Sequence, residues 1–127
     1  MVKIIIDTPS APEAVGTYNQ AVEINSLIFT SGQVGIDPSQ GRLVEGGMKA
    51  QTDQVLRNIH YILKDAGLDK KNIIKLTVFL IDLDQFSIIN ESFKEFFVDI
   101  EFPARSTVEV SKLPLGALVE IECVASR

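Results

Sequence analysis

The sequence predicts an α+β fold in which two helices cover one face of a single sheet of about six strands. Three observations carry this reading. Only two stretches space their apolar residues helically, while about six shorter ones read as strands. Their order is strands, helix, strand, helix, two strands, which leaves two helices to cover one face of one sheet. The chain has 127 residues and no linker, which suits one domain over 1–127 that buries roughly two thirds of its unfolded surface.

The first element is "KIII" (3–6), a short strand. "QAVEINSLIFTSGQV" (20–34) follows as two strands joined at Asn25-Ser26, a hairpin-type break. "GIDPSQGRLVEGG" (35–47) is dense in turn residues and reads as a loop. In 48–67, Val55, Ile59, Ile62, Leu63 and Ala66 recur at helical spacing, and Gly67 is a natural C-terminal cap. "NIIKLTVFLID" (72–82) is rich in β-branched residues and reads as a buried strand. A second helix follows, with Phe86, Ile89, Phe93, Phe96 and Phe97 on one side and a capping box expected from Asp82 and Gln85. Pro103 breaks the chain before two final strands, 105–110 and 118–125.

Bulk composition narrows the function. Twelve basic against 17 acidic residues leave a net charge of −5, and the one adjacent basic pair, Lys70-Lys71, lies in a turn-like stretch. Phosphate backbones demand clustered cations, so nucleic acid is a poor partner. No apolar run approaches the roughly 18 residues of a membrane span, and "MVKIII" is too short for a signal peptide, so no membrane association and a cytoplasmic location are expected. Cys123 is the only cysteine and His60 the only histidine, which excludes an intramolecular disulfide, a thiolate metal site and a two-histidine site. Cys123 shares its strand face with Val119 and Ile121 and reads as a small core residue. "SGQVG" lacks the lysine and spacing of a phosphate-binding loop.

The last two strands hold the chemistry. Strand alternation puts Arg105, Thr107 and Glu109 on one face of the first, and Glu120 and Glu122 opposite the apolar side of the second. If these strands pair, as the short "SKLPLGA" connection allows, Arg105, Thr107 and the two glutamates line one polar surface. That surface is either a solvated face with cross-strand ion pairs, or a site where Arg105 grips a carboxylate while a glutamate handles a proton or a water. Gly32, inside a strand pattern, permits close approach by a ligand.

Four blocks, "FPARSTVEVSKLPLGALVEIECVA", "SGQVGIDP", "KLTVFLIDLDQFSIINESFKEFF" and "TPSAPEAVGTYNQA", closely resemble the Rid/YjgF family of enamine/imine deaminases in order and spacing. The resemblance implies a chorismate-mutase-like α+β fold, a six-stranded mixed sheet with two helices on one face. It implies homotrimers in which three sheets meet in a central barrel, with active sites in the clefts between subunits. Arg105 would bind the substrate carboxylate and Glu120 would position and activate the hydrolytic water. Thr107 and Gly32 would contribute backbone groups, and Tyr18 and Asn90 would complete the pocket. Substrates would be small 2-imino or enamino acids such as 2-aminoacrylate and 2-iminobutanoate, and products 2-oxo acids and ammonia. No metal or cofactor is implied. The chain departs from the family pattern at Thr107, where many deaminating members carry cysteine, and at Thr17 and Asn19 around Tyr18.

Two other functions compete. Some family members carry the label of endoribonuclease or translation inhibitor, against which stand the acidic charge, the single histidine and the missing basic stripe. A non-catalytic trimeric sensor of small carboxylate metabolites would use Arg105 without turnover. The polar side of the sheet also carries Phe79 and Val124 by alternation, so closing three sheets around an axis would bury them.

Overall fold

The structure is a computed structural model that describes residues 2–127. Its main sheet is assembled from β1 (Ile4–Ile6), β2 (Ala21–Ile24), β3 (Leu27–Thr30), β4 (Gln33–Val34), β7 (Ile73–Leu80), β8 (Ala104–Glu109) and β9 (Val119–Ser126). The strand order is β1-β2-β3-β9-β7-β8, with β4 also pairing to β9. Helices α1 (Gly47–Asp65) and α2 (Phe86–Phe96) pack on one side. The stretch expected as a loop over 35–47 contains a separate small hairpin, β5 (Ile36–Asp37) with β6 (Arg42–Leu43).

Local chemistry sets the boundaries. Asn25 and Ser26 take φ values of 50° and 66°, the paired left-handed geometry of a tight hairpin turn, and β2 pairs with β3 from Ile24↔Leu27 outward. Helix α1 stops where Gly67 adopts φ 79°: the Gly67 N–H donates to the Lys64 carbonyl and the Leu68 N–H to that of Leu63, both at 2.9 Å. This is a Schellman ending. At the start of α2, the Asp82 side chain accepts from the Asp84 N–H at 3.0 Å, and the Gln85 amide donates back to the same carboxylate at 3.2 Å. The glutamine thus satisfies the cap side chain, not the backbone donor that a capping box would serve, because a 3₁₀ turn over Leu83–Gln85 precedes the helix.

The core lies between the helices and the sheet. Val55, Leu56, Ile59, Ile62 and Leu63 of α1 and Ile89 and Phe93 of α2 meet Ile28, Leu76, Val78, Ile121 and Cys123. A polar strip on α1 adds direction to this contact. Asn58 donates to the carbonyls of Val34 (3.3 Å) and Ile36 (2.9 Å), and the Gln51 side chain accepts from the Leu118 N–H at 2.9 Å. Gly35 is required beneath it, since a β-carbon there would come within 2.9 Å of the Gln51 backbone.

The final two strands do not pair. Helix α2 is a crossover that returns the chain to the same end of the sheet, so β8 runs parallel to β7 at the sheet edge. The segment 110–118 then passes beneath the end of β7, tied by Val110 N–H to the Leu80 carbonyl (2.8 Å) and Ile81 N–H to that of Leu118 (3.2 Å). β9 therefore runs antiparallel to β7 on its other side. The connection spans one intervening strand, about 10 Å, well within its reach.

This order decides the faces. Arg105 and Thr107 pair with Leu76 and Val78 and so lie on the helix-covered side, whereas Glu120 and Glu122 pair with Phe79 and Thr77 and lie on the uncovered side. The expected single polar surface shared by Arg105, Thr107 and the glutamates is not formed within the chain. The uncovered side is also markedly apolar: Ile5, Val22, Phe29 and Val124 form one continuous row across four strands. Phe29 in that row is 41% exposed and Val108, beside Phe79, is 43% exposed.

Cys123 is buried in the core, its backbone N–H bonded to Thr30 Oγ1 at 2.9 Å, and burial pushes its thiol up to about 12. Cys123→Ser should lower unfolding stability by about 1–3 kcal/mol, because the buried hydroxyl lacks the solvation it loses. Denaturant titration measures that loss, and rapid labelling of the native thiol by a maleimide would contradict the burial.

Candidate active site

Arg105 enters at the sheet edge, two residues after Pro103 ends the preceding segment. Its side chain reaches the margin of the core between two rings of α2. The guanidinium carbon lies 5.1 Å from the ring centre of Phe86 and 4.9 Å from that of Phe93. Phe86 and Phe93 are seven residues apart, two helical turns, and so stand on one stripe of α2. The two π faces hold the cation by its quadrupole attraction while leaving its five N–H donors unspent. Among the described residues no hydrogen bond or ion pair to the Arg105 guanidinium is formed. Burial pushes its pKa down, yet a guanidinium keeps its proton at any ordinary pH.

A cavity of about 340 Å³ opens beside it, lined by Asn90, Phe93, Lys94, Phe102, Pro103 and Arg105. Asn90 projects from the same stripe of α2, midway between the two phenylalanines. Thr107 is two residues along β8 on the same side, and its Oγ1 is buried without a hydrogen-bond partner. Arg105, Asn90 and Thr107 are therefore neighbours at one edge, where a partly desolvated guanidinium fork is available to a planar anion.

Glu120 lies on the opposite face. β3 and β4 both pair with β9, but between Phe29↔Val124 and Gln33↔Ile121 the β3–β4 side has one residue more than β9. This bulge at Ser31–Gly32 carries Gly32 over Glu120. A β-carbon on Gly32 would come within 2.7 Å of the Glu120 carboxyl carbon, so a larger residue there would push the Glu120 side chain from its present position. Burial, with repulsion from Glu122, raises the Glu120 pKa above the usual carboxylate value. Among the described residues no cation pairs with it. The loop carrying Tyr18 is anchored beside the bulge: Ser31 Oγ donates to the Asn19 carbonyl at 2.6 Å and Ser31 N–H to that of Gln20 at 2.9 Å. The buried Gln20 side chain fixes the other end of this loop, accepting from the Thr8 N–H (2.7 Å) and donating to the carbonyls of Thr8 (3.0 Å) and Pro12 (2.8 Å). Tyr18 itself is 52% exposed.

The structure thus sorts the six expected site residues into two groups. Arg105, Asn90 and Thr107 gather at the β8–α2 edge, and Gly32 and Glu120 meet on the uncovered face with the Tyr18 loop tied to the neighbouring Ser31. In one chain, Arg105 and Glu120 are separated by β7 and by the thickness of the sheet. Sequence reasoning placed Phe86 and Phe93 on one helix stripe but missed their contact with Arg105, because their spacing reads equally as a core stripe. Among the described residues no group of three or more His, Cys, Asp and Glu side chains is arranged to hold a metal ion, and no helix is long and apolar enough to cross a membrane.

Residues 8–127 match the family described as Endoribonuclease L-PSP. The chain is 50% identical over 121 residues to a RutC family protein of Aquifex aeolicus, covering 94% of this chain and 96% of that one. It is 45% identical over 125 residues to the human 2-iminobutanoate/2-iminopropanoate deaminase, covering 98% and 90% of the two chains. A Rid family protein of Yersinia pestis, solved as a protein of unknown function, superposes with a TM-score of 0.97 at 46% identity over 99% of this chain and all of that one. Sequence and architecture agree across nearly the whole length, and the chain belongs to the Rid/YjgF family, also called the L-PSP endoribonuclease family.

Proposed function

We propose that this protein hydrolyses small 2-imino and 2-enamino acids to 2-oxo acids and ammonia, in sites completed between subunits of a homotrimer. The observation that carries the reading is Arg105: a desolvated guanidinium held between two aromatic rings, beside a cavity, with no anion of its own. The human relative bears the name of such a deaminase. The apolar row on the uncovered sheet face supports assembly, since a monomer rarely leaves so continuous a patch in water. Packing three such faces around an axis lets the β8–α2 edge of one chain meet the Gly32–Glu120 face of the next, a ring interface that closes.

The chemistry then follows. Arg105 takes the substrate carboxylate in a two-pronged grip, which fixes the C2=N bond. An imine carbon is already electrophilic, so the step needs a placed water and a proton acceptor more than a strong nucleophile. Glu120 accepts the water proton as the water oxygen bonds to C2 and the C=N electrons pass to nitrogen, and it then hands that proton to the nitrogen, giving a neutral carbinolamine. Glu120 next takes the carbinolamine hydroxyl proton as C=O forms and delivers it to the nitrogen, which departs with the C–N electrons as ammonia. An enamine enters the same path after protonation at C3.

A coupled assay tests the reaction: a dehydratase generates 2-aminoacrylate, and the rate of pyruvate release is followed. Arg105→Ala should lose at least about 100-fold in kcat/KM while stability falls by about 2 kcal/mol, the worth of a desolvated cation–π contact, and the fold stays intact. Arg105→Lys should be nearly as impaired, and wild-type turnover in that variant would rule out bidentate binding. Carboxylate binding with no turnover in the wild-type protein would favour a sensor.

The shared site makes a sharper prediction. Arg105→Ala and Glu120→Gln chains, each inactive alone, should recover about a quarter of wild-type activity when co-assembled at random, since one site in four then draws both intact groups. No recovery in verified mixed trimers would rule out a site shared between neighbouring chains.

The acid limb of kcat/KM gives an independent check. Because the Glu120 pKa is raised, its basic form is lost early as pH falls, and activity should drop at a pH above the ordinary carboxylate value of 4.5. Glu120→Gln should remove that limb together with about 100-fold or more of the rate.

A further inference from the structure

On the other side of α2 from the Arg105 pocket, the groove between α1 and α2 holds a second cavity, of about 360 Å³. That volume lies within the range of small-molecule sites. Asp53, Arg57 and His60 line it from one face of α1, four and three residues apart, and Ser92, Glu95 and Phe96 line it from α2. Lys70, from the turn after α1, extends its ammonium over the Phe96 ring at 5.3 Å and closes one end.

Two features of this groove await a ligand. The first is charge. Asp53 and Glu95 are both bound to Lys49, at 2.9 and 2.8 Å, so their carboxylates already share a cation. Arg57 and Lys70 form no ion pair among the described residues. Arg57 donates only to the neutral Gln54 side chain at 3.0 Å and feels Asp37 at longer range. The two lining carboxylates are thus bonded to Lys49, outside the lining, while the lining cations Arg57 and Lys70 have no bonded carboxylate. His60 adds no charge to these: burial, then Lys64 and Lys70, lower its pKa, against a smaller opposing effect of Asp69. The second feature is Ser92, 1% exposed, whose Oγ is buried with no hydrogen-bond partner. An orphaned hydroxyl in a helix interior costs stability unless something else uses it.

We propose that this interhelical groove is a second binding site, for a small organic monoanion with an apolar body. Its carboxylate would sit between Arg57 and Lys70, its body against Leu56 and Phe96, and a polar atom would meet Ser92. The site is independent of the imine chemistry, because α2 separates it from Arg105.

Benzoate is a suitable probe, with benzamide as its neutral counterpart. Amide NMR spectra of the full-length Arg105→Ala protein, in which the first pocket has lost its cation, are followed during titration with each. Benzoate should shift the resonances of 53–60 and 92–96, and benzamide should bind at least about 10-fold more weakly. Arg57→Gln with Lys70→Gln should weaken benzoate about 10-fold or more, and Ser92→Ala about 3-fold or more. The Arg57 and Lys70 variants, made in the otherwise native chain, should leave imine hydrolysis unchanged. Equal binding of benzamide, unaltered affinity in either set of variants, or no shifts around the groove at tens of millimolar benzoate would overturn the proposal. None of these outcomes bears on whether Arg105 serves a deaminase.

Discussion

Two helices can cover only one face of a sheet, and that shortage governs everything else in this molecule. The covered face is a conventional core, sealed by the α1 stripe and by Ile89 and Phe93 of α2. The bare face keeps a row of four apolar side chains and two glutamates facing outward. The chemistry of the chain is divided by the same boundary. Arg105, without a counter-ion, stands at the rim of the covered face, and Glu120, with its raised pKa, stands on the bare one.

Helix α2 is the pivot of this arrangement. As a crossover it sets β8 parallel to β7 and brings Arg105 to the sheet edge. One stripe of the helix then does two jobs: Phe93 is a core residue, and with Phe86 it flanks the guanidinium. The adjacent stripe, Ser92, Glu95 and Phe96, faces α1 and forms the wall of the interhelical groove. One two-turn segment therefore borders both cavities.

Much of this was legible in the sequence because the deciding physics is local. Asn25-Ser26 announced a hairpin, Gly67 a helix end, and alternation sorted each final strand's residues correctly between its two faces. What failed was the relation between strands. Whether 105–110 lies beside 118–125 depends on the crossover through α2, a long-range outcome that no local pattern encodes. Placing β7 between them moved Arg105 and Glu120 to opposite faces. The bulge at Ser31–Gly32 was hidden for a similar reason: it exists only relative to the partner strand β9. Phe86 and Phe93 were visible as a stripe, but a stripe does not reveal that one of its edges meets a cation.

The treatment of charge within the chain separates structure from function. Glu23 and Arg127 show what the fold does with an ion pair meant to hold it together. The carboxylate receives two bonds from the guanidinium, at 2.7 and 2.9 Å, and the same arginine also donates to the Ala66 carbonyl at the end of α1. Hydrogen bonding to Arg127 lowers the Glu23 pKa, as expected of a satisfied pair. Arg105 and Glu120 are the same residue types treated in the opposite way. Each is partly desolvated, neither has a counter-ion, and the Glu120 pKa moves up instead of down. Pairing either one locally would have been the cheaper solution for stability alone. Leaving both open keeps a donor fork and a carboxylate of raised pKa free, the two groups on which the proposed hydrolysis rests.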